Sequence, residues 1–172
     1  MPLSQSLLIS KSVSFRQDLY ENLQKSASAG KAKSAFLCHS HKDETIVKGL
    51  IAFFQENGVD IYIDWKDHTM PDTPNADTAR KIQDAIKGRD FFFFLATANA
   101  KASRWCPWEI GYADSSKRRI YIIPTVDSKG TYGNEYLELY PKIDEGSYGI
   151  RKGLAIFGAG KREGEWLAVN SL

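Results

Sequence analysis

The most informative stretch of the chain runs from Ser103 to Asp114, because it places an aromatic side chain four residues before a carboxylate. Residues four positions apart lie on one face of a helix, so Trp105 and Glu109 would stand side by side there. A flat ring beside an acid suits a ligand that carries a ribose next to a cationic ring. The pattern alone also fits a core helix in which Glu109 is merely solvated.

Length, charge and cysteine content point to an ordinary globular domain. The chain has 172 residues, a formal net charge of +2 and two cysteines. That charge gives no reason to expect nucleic acid or an anionic membrane as a partner, and two cysteines make no disulfide scaffold. The longest apolar run, 91–96, is too short to span a bilayer, and no stretch resembles a signal peptide. We therefore expect a cytoplasmic protein.

Hydrophobic spacing divides the chain into a helical appendage with a linker, residues 1–33, and an α/β domain, residues 34–172. Strands are predicted at 35–39, 59–63, 90–96 and 120–126. Helices are predicted after Asp43, which can cap the first of them, at 79–87 and from Ser103 to about Asp114. Alternation of this kind predicts an open parallel sheet with helices on both faces.

Ligands of such sheets bind beyond the carboxyl ends of the strands. Polar and aromatic residues follow two of the predicted strands and are candidates for substrate binding, together with the tryptophan of the helix: Ser40, His41, Asp64, Trp65 and Trp105. No glycine-rich phosphate loop follows the first strand, which excludes a standard dinucleotide dehydrogenase or P-loop NTPase.

Metal binding is not expected from the histidines and cysteines near the first strand. Cys38, His39 and His41 resemble a ligand cluster, but alternation along a strand sends Cys38 and His39 to opposite faces. No fourth ligand lies nearby in the sequence. Cys106 lacks an evident histidine partner, so we interpret it as a packing residue.

In their order, these motifs resemble those of TIR (Toll/interleukin-1 receptor) domains. The similarity spans about residues 34–126 and includes the first two strands, the long BB loop between about 64 and 77, the third strand and the tryptophan–glutamate helix. It implies a flavodoxin-like open parallel sheet of about five strands. The BB loop departs from the family pattern, because Pro71 is followed by Asp72 where a glycine is usual.

The resemblance implies one of two functions. Many bacterial, plant and axonal TIR domains cleave NAD+ between nicotinamide and ribose, with a catalytic glutamate where Glu109 stands, whereas most animal TIR domains are non-enzymatic assembly modules. Glu109 favours the enzyme, which would take NAD+ as its substrate and need no further cofactor. Relatives often self-associate through the BB loop region, and we expect the same here. A nucleoside deoxyribosyltransferase-like enzyme is a third alternative.

One carboxylate suffices for this chemistry, since nicotinamide is cationic in NAD+ and leaves as a neutral molecule without a general acid. The carboxylate then stabilises the positive charge that develops on the ribose. Attack by water gives linear ADP-ribose, and attack by a hydroxyl or an adenine nitrogen of the substrate gives a cyclic ADP-ribose. The sequence does not decide between these products. The chain resembles the TIR component of bacterial Thoeris antiphage systems, which implies a cyclic messenger read by a separate effector protein.

Overall fold

The computed structural model describes residues 1–65, 75–116 and 118–167. In these residues the α-helices are α1 (Gln5–Lys11), α2 (Gln17–Ser28), α3 (Glu44–Glu56), α4 (Ala76–Lys87), α5 (Ala98–Lys101) and α6 (Cys106–Ser115). The strands are β1 (Leu3–Ser4), β2 (Ser34–Cys38), β3 (Tyr62–Asp64), β4 (Phe91–Leu95), β5 (Arg119–Ile123), β6 (Thr125–Asp127), β7 (Gly130–Tyr132), β8 (Lys142–Tyr148), β9 (Arg151–Phe157) and β10 (Gly164–Trp166). Most of the predicted BB loop lies outside the described residues.

Within the described residues, the central sheet has seven strands in the order β10-β9-β8-β5-β4-β2-β3. The five from β3 to β8 pair in parallel, which confirms the predicted flavodoxin-like arrangement. The prediction of about five strands was incomplete, because β9 and β10 extend the sheet in antiparallel fashion. Strands that turn back beside their neighbour need only a short hairpin, so the glycine-broken region after residue 127 could still add to the sheet.

Strand β4 lies in the middle of this sheet, and its continuous apolar run is buried on both faces, as such runs in parallel sheets are. Phe91, Phe93 and Leu95 pack on the face covered by α1, α2 and α3. Phe92 and Phe94 pack on the opposite face, against α4, α5 and α6. Side chains of β2 alternate between the two faces in the same way, with Leu37 on the first face and Cys38 on the second.

The N-terminal segment shares the core of the α/β domain. Leu3 and Leu8 are fully buried in the same cluster as α3. Strand β1 pairs in parallel with β6, and α1 packs on α3 so closely that a Cβ at Gly49 would overlap the Leu8 backbone. The predicted linker begins later than expected, because α2 extends to Ser28. The sequence did not predict α1 or β1.

Pro124 interrupts the predicted fourth strand. β5 ends at Ile123, and β6 leaves the central sheet to form a three-stranded sheet with β1 and β7. Proline has no N–H to donate to a ladder, which explains the break at this position. The chain then turns at Gly133, whose φ of +95° suits glycine, and returns across the carboxyl end of β4.

Candidate active site

Helix α6 carries the tryptophan and the glutamate, and it begins three residues later than predicted. The Ser103 hydroxyl accepts hydrogen bonds from the backbone N–H groups of Trp105 (3.1 Å) and Cys106 (3.3 Å), so Ser103 caps the helix from outside. Trp105 is the residue before the first helical turn, and the Glu109 N–H donates to its carbonyl at 2.8 Å. The four-residue spacing therefore still joins the two residues.

The Glu109 carboxylate is directed into the protein interior. Glu109 is only 3 % exposed, and its carboxylate oxygen lies within 4.8 Å of the sulfurs of Cys38 and Cys106. Both thiols are buried as well. The carboxylate thus lies between the first turn of α6 and the end of β2, at the carboxyl edge of the sheet where ligands of this architecture bind. Periodicity allowed either a cleft-facing or a solvated residue, and the solvated position is excluded.

Burial dominates the electrostatics of this group. It raises the pKa of the Glu109 carboxyl from 4.5 to about 7, while a hydrogen bond from the Cys38 thiol acts in the opposite direction. Burial also raises the pKa of the Cys38 thiol, so that this thiol stays protonated and can serve as a donor. A thiol is a weak donor and leaves a carboxylate poorly stabilised. A positive charge that forms beside such an anion therefore has a strong electrostatic attraction to it.

These three groups are also the described residues whose donor atoms lie close enough together to bind a metal ion. Two thiols and a carboxylate would suit zinc, provided that the thiols ionise. Burial opposes that ionisation at Cys38. The metal set considered from the sequence is separated, as predicted, because His39 contacts Trp65 on the side of the sheet opposite Cys38.

Trp105 belongs to a row of aromatic rings along α6. Its ring packs edge-on against Trp108, at 5.6 Å between centroids, and Trp108 stacks on Tyr112 at 5.9 Å. Trp105 is half-buried against the α4–α6 side of the core, whereas Trp108 is more exposed. Trp105 therefore lies on the same side of the sheet as Glu109, and part of its ring is open to a ligand.

Asp43 organises the ends of β2 and β4, a role that the sequence did not reveal. Its buried carboxylate accepts hydrogen bonds from the Thr97 hydroxyl and the Asn99 amide, each at 2.6 Å. Asp43 occupies the N-cap position of α3, as predicted, but its side chain makes no capping hydrogen bond there. Ser40 is buried, and its hydroxyl caps the short 3-10 turn of residues 41–43 instead.

The other predicted binding residues lie apart from the Glu109 cluster. The Asp64 carboxylate accepts two hydrogen bonds from Arg89, at 2.8 and 2.9 Å. The Trp65 ring contacts Tyr20 and packs with the core on the α1–α3 side. His41 is exposed in the turn that follows β2. Their binding roles stay predictions, whereas Trp105, at the start of α6, precedes Glu109 by one helical turn.

A depression beside α6 contains residues that the sequence gave no reason to choose. It is small and partly open to solvent. Pro107 of α6 contributes to its wall, together with residues of α5, the end of β7 and the turn that follows it, among them Lys101, Tyr132, Glu135 and Tyr136. Gly133 brings that turn onto the end of β4, because a Cβ there would lie 2.8 Å from the Ala96 Cβ. The only sequence feature that pointed to this turn was Gly133 itself.

Fold and site together define an α/β domain with a flavodoxin-like parallel sheet and a buried carboxylate at its carboxyl edge. The family profile of the TIR domain matches residues 35–144, and the chain belongs to this family.

Two curated relatives carry provisional names. One, from Bacillus cereus (strain MSX-D12), is 30 % identical over 76 % of this chain and 70 % of its own length, and is named 3' cyclic ADP-D-ribose synthase ThsB'. The other, from Cytobacillus dafuensis, is 25 % identical over 56 % of this chain but only 26 % of its own length, and is named cyclic ADP-D-ribose synthase TIR2.

Among solved structures, a CMP N-glycosidase of Clostridium botulinum, BcmB, is 25 % identical over 52 % of this chain and 70 % of its own, with a TM-score of 0.37. So low a TM-score supports no conclusion about the present chain.

In the described residues, no helix is both long enough and apolar enough to cross a membrane.

Proposed function

We propose that this TIR domain cleaves NAD+ at the bond between nicotinamide and ribose and closes the ADP-ribose fragment into a cyclic product. The observation that carries the cleavage is the buried carboxylate of Glu109, four residues after Trp105 at the carboxyl edge of the sheet. The curated relatives support the cyclic product, since both are named as cyclic ADP-D-ribose synthases.

Glu109 acts on the charge that forms when the bond breaks. The bonding electron pair leaves with nicotinamide, which becomes neutral, and the positive charge passes to the ribose. A carboxylate in a dry site stabilises that charge far better than one in water would. The reaction requires the ionised carboxylate, and burial also reduces the fraction that is ionised, because it raises the pKa of Glu109 to about 7.

Ring closure follows when a hydroxyl or an adenine nitrogen of the same substrate attacks the anomeric carbon of that ribose. A new bond to this carbon replaces the one lost, and a hydroxyl that attacks loses its proton to solvent. A site that excludes water favours this internal attack over hydrolysis. The thiols around Glu109 are buried, and they line such a site with weakly polar groups.

We further propose that the product is a signal for a separate effector protein in antiphage defence, and that the domain self-associates through its BB loop region. The resemblance to Thoeris TIR proteins supports the first proposal, and the resemblance to TIR domains in general supports the second. Most of the BB loop lies outside the described residues. NAD+ alone is consumed, with no additional cofactor.

The test is incubation of the protein at high concentration with NAD+, followed by chromatography and mass spectrometry. Wild type should release nicotinamide and a product one water lighter than ADP-ribose, whereas Glu109→Gln should lose at least about a hundredfold in rate. Glu163→Gln is the matched control, because Glu163 is an exposed glutamate distant from α6 in the chain.

Equal rates for wild type and Glu109→Gln would refute the role of the carboxylate. Linear ADP-ribose as the sole product would refute the cyclisation. Base exchange on deoxynucleosides, without NAD+ consumption, would indicate a transferase instead, and absence of both activities would favour an assembly module.

A further inference from the structure

We infer that Cys38, Cys106 and Glu109 form a binding site for a zinc ion, and that the bound ion blocks the cleavage of NAD+. The ion acts as an inhibitor and not as a cofactor. The inhibition rests on the proposed function, because the ion occupies the carboxylate that the reaction needs. The binding itself rests on the arrangement of the three side chains alone.

The first support is the convergence of three donor groups from two elements. Cys106 and Glu109 are three residues apart in the first turn of α6, and this spacing puts both side chains on one face of the helix. Cys38 is the last residue of β2, on the sheet face that α6 covers. Its sulfur lies 3.8 Å from the Cys106 carbonyl oxygen, and its thiol donates a hydrogen bond to Glu109. The two cysteines are 68 residues apart in the chain, so the sequence did not pair them.

The second support is the spacing of the donor atoms. The two sulfurs and a carboxylate oxygen of Glu109 all lie within 4.8 Å of one another. Tetrahedral zinc, at about 2.3 Å from each thiolate, holds two sulfurs about 3.8 Å apart. The donors therefore need to approach one another by only about 1 Å, which small rotations of the side chains allow. Among the residues that the structure describes, no fourth donor joins this set, which leaves one corner of the tetrahedron for water.

The third support is the electrostatics of metal binding at this position. Burial raises the pKa of the Cys38 thiol, so this thiol stays protonated while no cation is near. A dication reverses the balance, because a thiol that coordinates zinc loses its proton outright. Binding forms two Zn–S bonds and one Zn–O bond, breaks two S–H bonds and releases their protons to solvent, together with any proton on Glu109. The positive end of the α6 dipole favours the negative ligands in its first turn.

A zinc ion at this position and the cleavage of NAD+ exclude each other. The proposed reaction needs a free carboxylate beside the ribose, where positive charge develops. Zinc binds an oxygen of Glu109 and places its own positive charge where the ribosyl cation would form, so the attraction that promotes cleavage is lost. Access is shared, because an opening that admits a ribose to Glu109 also admits a hydrated ion.

The experiment uses Co2+ as a spectroscopic probe of the whole chain, which is kept reduced by a phosphine. Thiolate ligands give tetrahedral Co2+ an intense charge-transfer band in the near ultraviolet. The chain has two cysteines, and both belong to the proposed site, so this band reports on the site directly. Wild type should bind one Co2+ with such a band, and Zn2+ should displace it, because thiolates select zinc.

Three variants test the ligands one at a time. Cys38→Ala, Cys106→Ala and Glu109→Gln should each weaken Co2+ binding at least about tenfold, and the band should lose about half of its intensity in the two cysteine variants. Glu163→Gln, which changes an exposed glutamate, is the matched control and should bind Co2+ as wild type does. Thermal unfolding of each variant verifies that it is folded.

Inhibition is measured on the same proteins. Zn2+ should stop the release of nicotinamide by wild type at the concentrations that displace Co2+. For Cys106→Ala, the rate with zinc is compared with the rate of the same variant without it. The zinc concentration that halves this rate should rise by the factor by which the variant weakens metal binding.

Absence of a thiolate band in wild type with excess Co2+ would overturn the inference, as would wild-type metal affinity in Glu109→Gln. Displacement of Co2+ by zinc that leaves NAD+ turnover unchanged would overturn the inhibition while the proposed function stands. Zinc binding with the expected variant pattern, in a protein that releases no nicotinamide from NAD+, would instead keep the metal site and reject the proposed cleavage.

Discussion

Replacing Glu109 with glutamine should stabilise the fold at alkaline pH even as it removes the proposed catalytic group. Glu109 is 3 % exposed, and burial raises its pKa from 4.5 to about 7. The folded protein therefore binds this proton more tightly than the unfolded chain does. The resulting contribution to stability is fully present below about pH 4.5 and is lost as the pH rises through about 7.

The magnitude follows from the two pKa values. A difference between 4.5 and about 7 is a ratio of about 300 in acid constants, which corresponds to about 3 kcal/mol. From about pH 5 to about pH 8.5, wild type should lose roughly 2 to 3 kcal/mol relative to Glu109→Gln, since the amide exchanges no proton. Effects of all other titrating groups cancel in this comparison of the two proteins.

Urea unfolding of both proteins at both pH values measures this difference. Glu163→Gln, which changes an exposed carboxylate, should follow wild type at both pH values. A stability gap between wild type and Glu109→Gln that stays constant within about 0.5 kcal/mol across the two pH values would show that the carboxylate is solvated in the folded protein.

Three other predictions concern the same core. The kcat/KM for NAD+ should rise with pH around an apparent pKa of about 7, because the ionised Glu109 is required, and a flat profile between about pH 5.5 and 8.5 would contradict this. That apparent pKa should be highest in Cys38→Ala, which lacks the thiol donor, and lowest in Cys38→Ser, whose hydroxyl is a stronger donor; pH–rate profiles of the three proteins test the order. Gly49→Ala should destabilise the protein by about 2 kcal/mol or more, because its Cβ would overlap the Leu8 backbone, whereas Gly111→Ala, with open space around its Cβ, should stabilise it by about 0.5 to 1 kcal/mol in urea unfolding.

The sequence predicted the parts of the fold that have a strong local pattern of residues. The unbroken apolar run of β4 is one such case, and the helix predicted to end at about Asp114, which ends at Ser115, is another. Strand β1, by contrast, has only two residues and exists through its pairing with β6. The division at residue 33 stays a prediction, although Leu3 and Leu8 share the core of the sheet.

Long-range contacts determined the parts of the site that the sequence could not predict. Asp43 looked like a helix cap, and its hydrogen-bond donors Thr97 and Asn99 are 54 and 56 residues away. The spacing of Trp105 and Glu109 identified the helix but not the direction of the carboxylate, which depends on the docking of α6 against Cys38 of β2. Side-chain chemistry could be listed from the sequence, whereas neighbours across the sheet could not.

Burial of Glu109 links the rate of the proposed reaction to its product. A fully hydrated Glu109 would have an ordinary pKa and would be ionised at any pH above about 5, but its carboxylate would stabilise a ribosyl cation only weakly. Burial makes the anion costly, with a pKa near 7, and the same lack of water strengthens its field. It also lowers the concentration of the competing nucleophile, so a hydroxyl or nitrogen carried by the substrate itself reaches the cation first. A variant that hydrates the site without moving Glu109 should therefore lower the apparent pKa, slow the cleavage and shift the product from cyclic to linear ADP-ribose together.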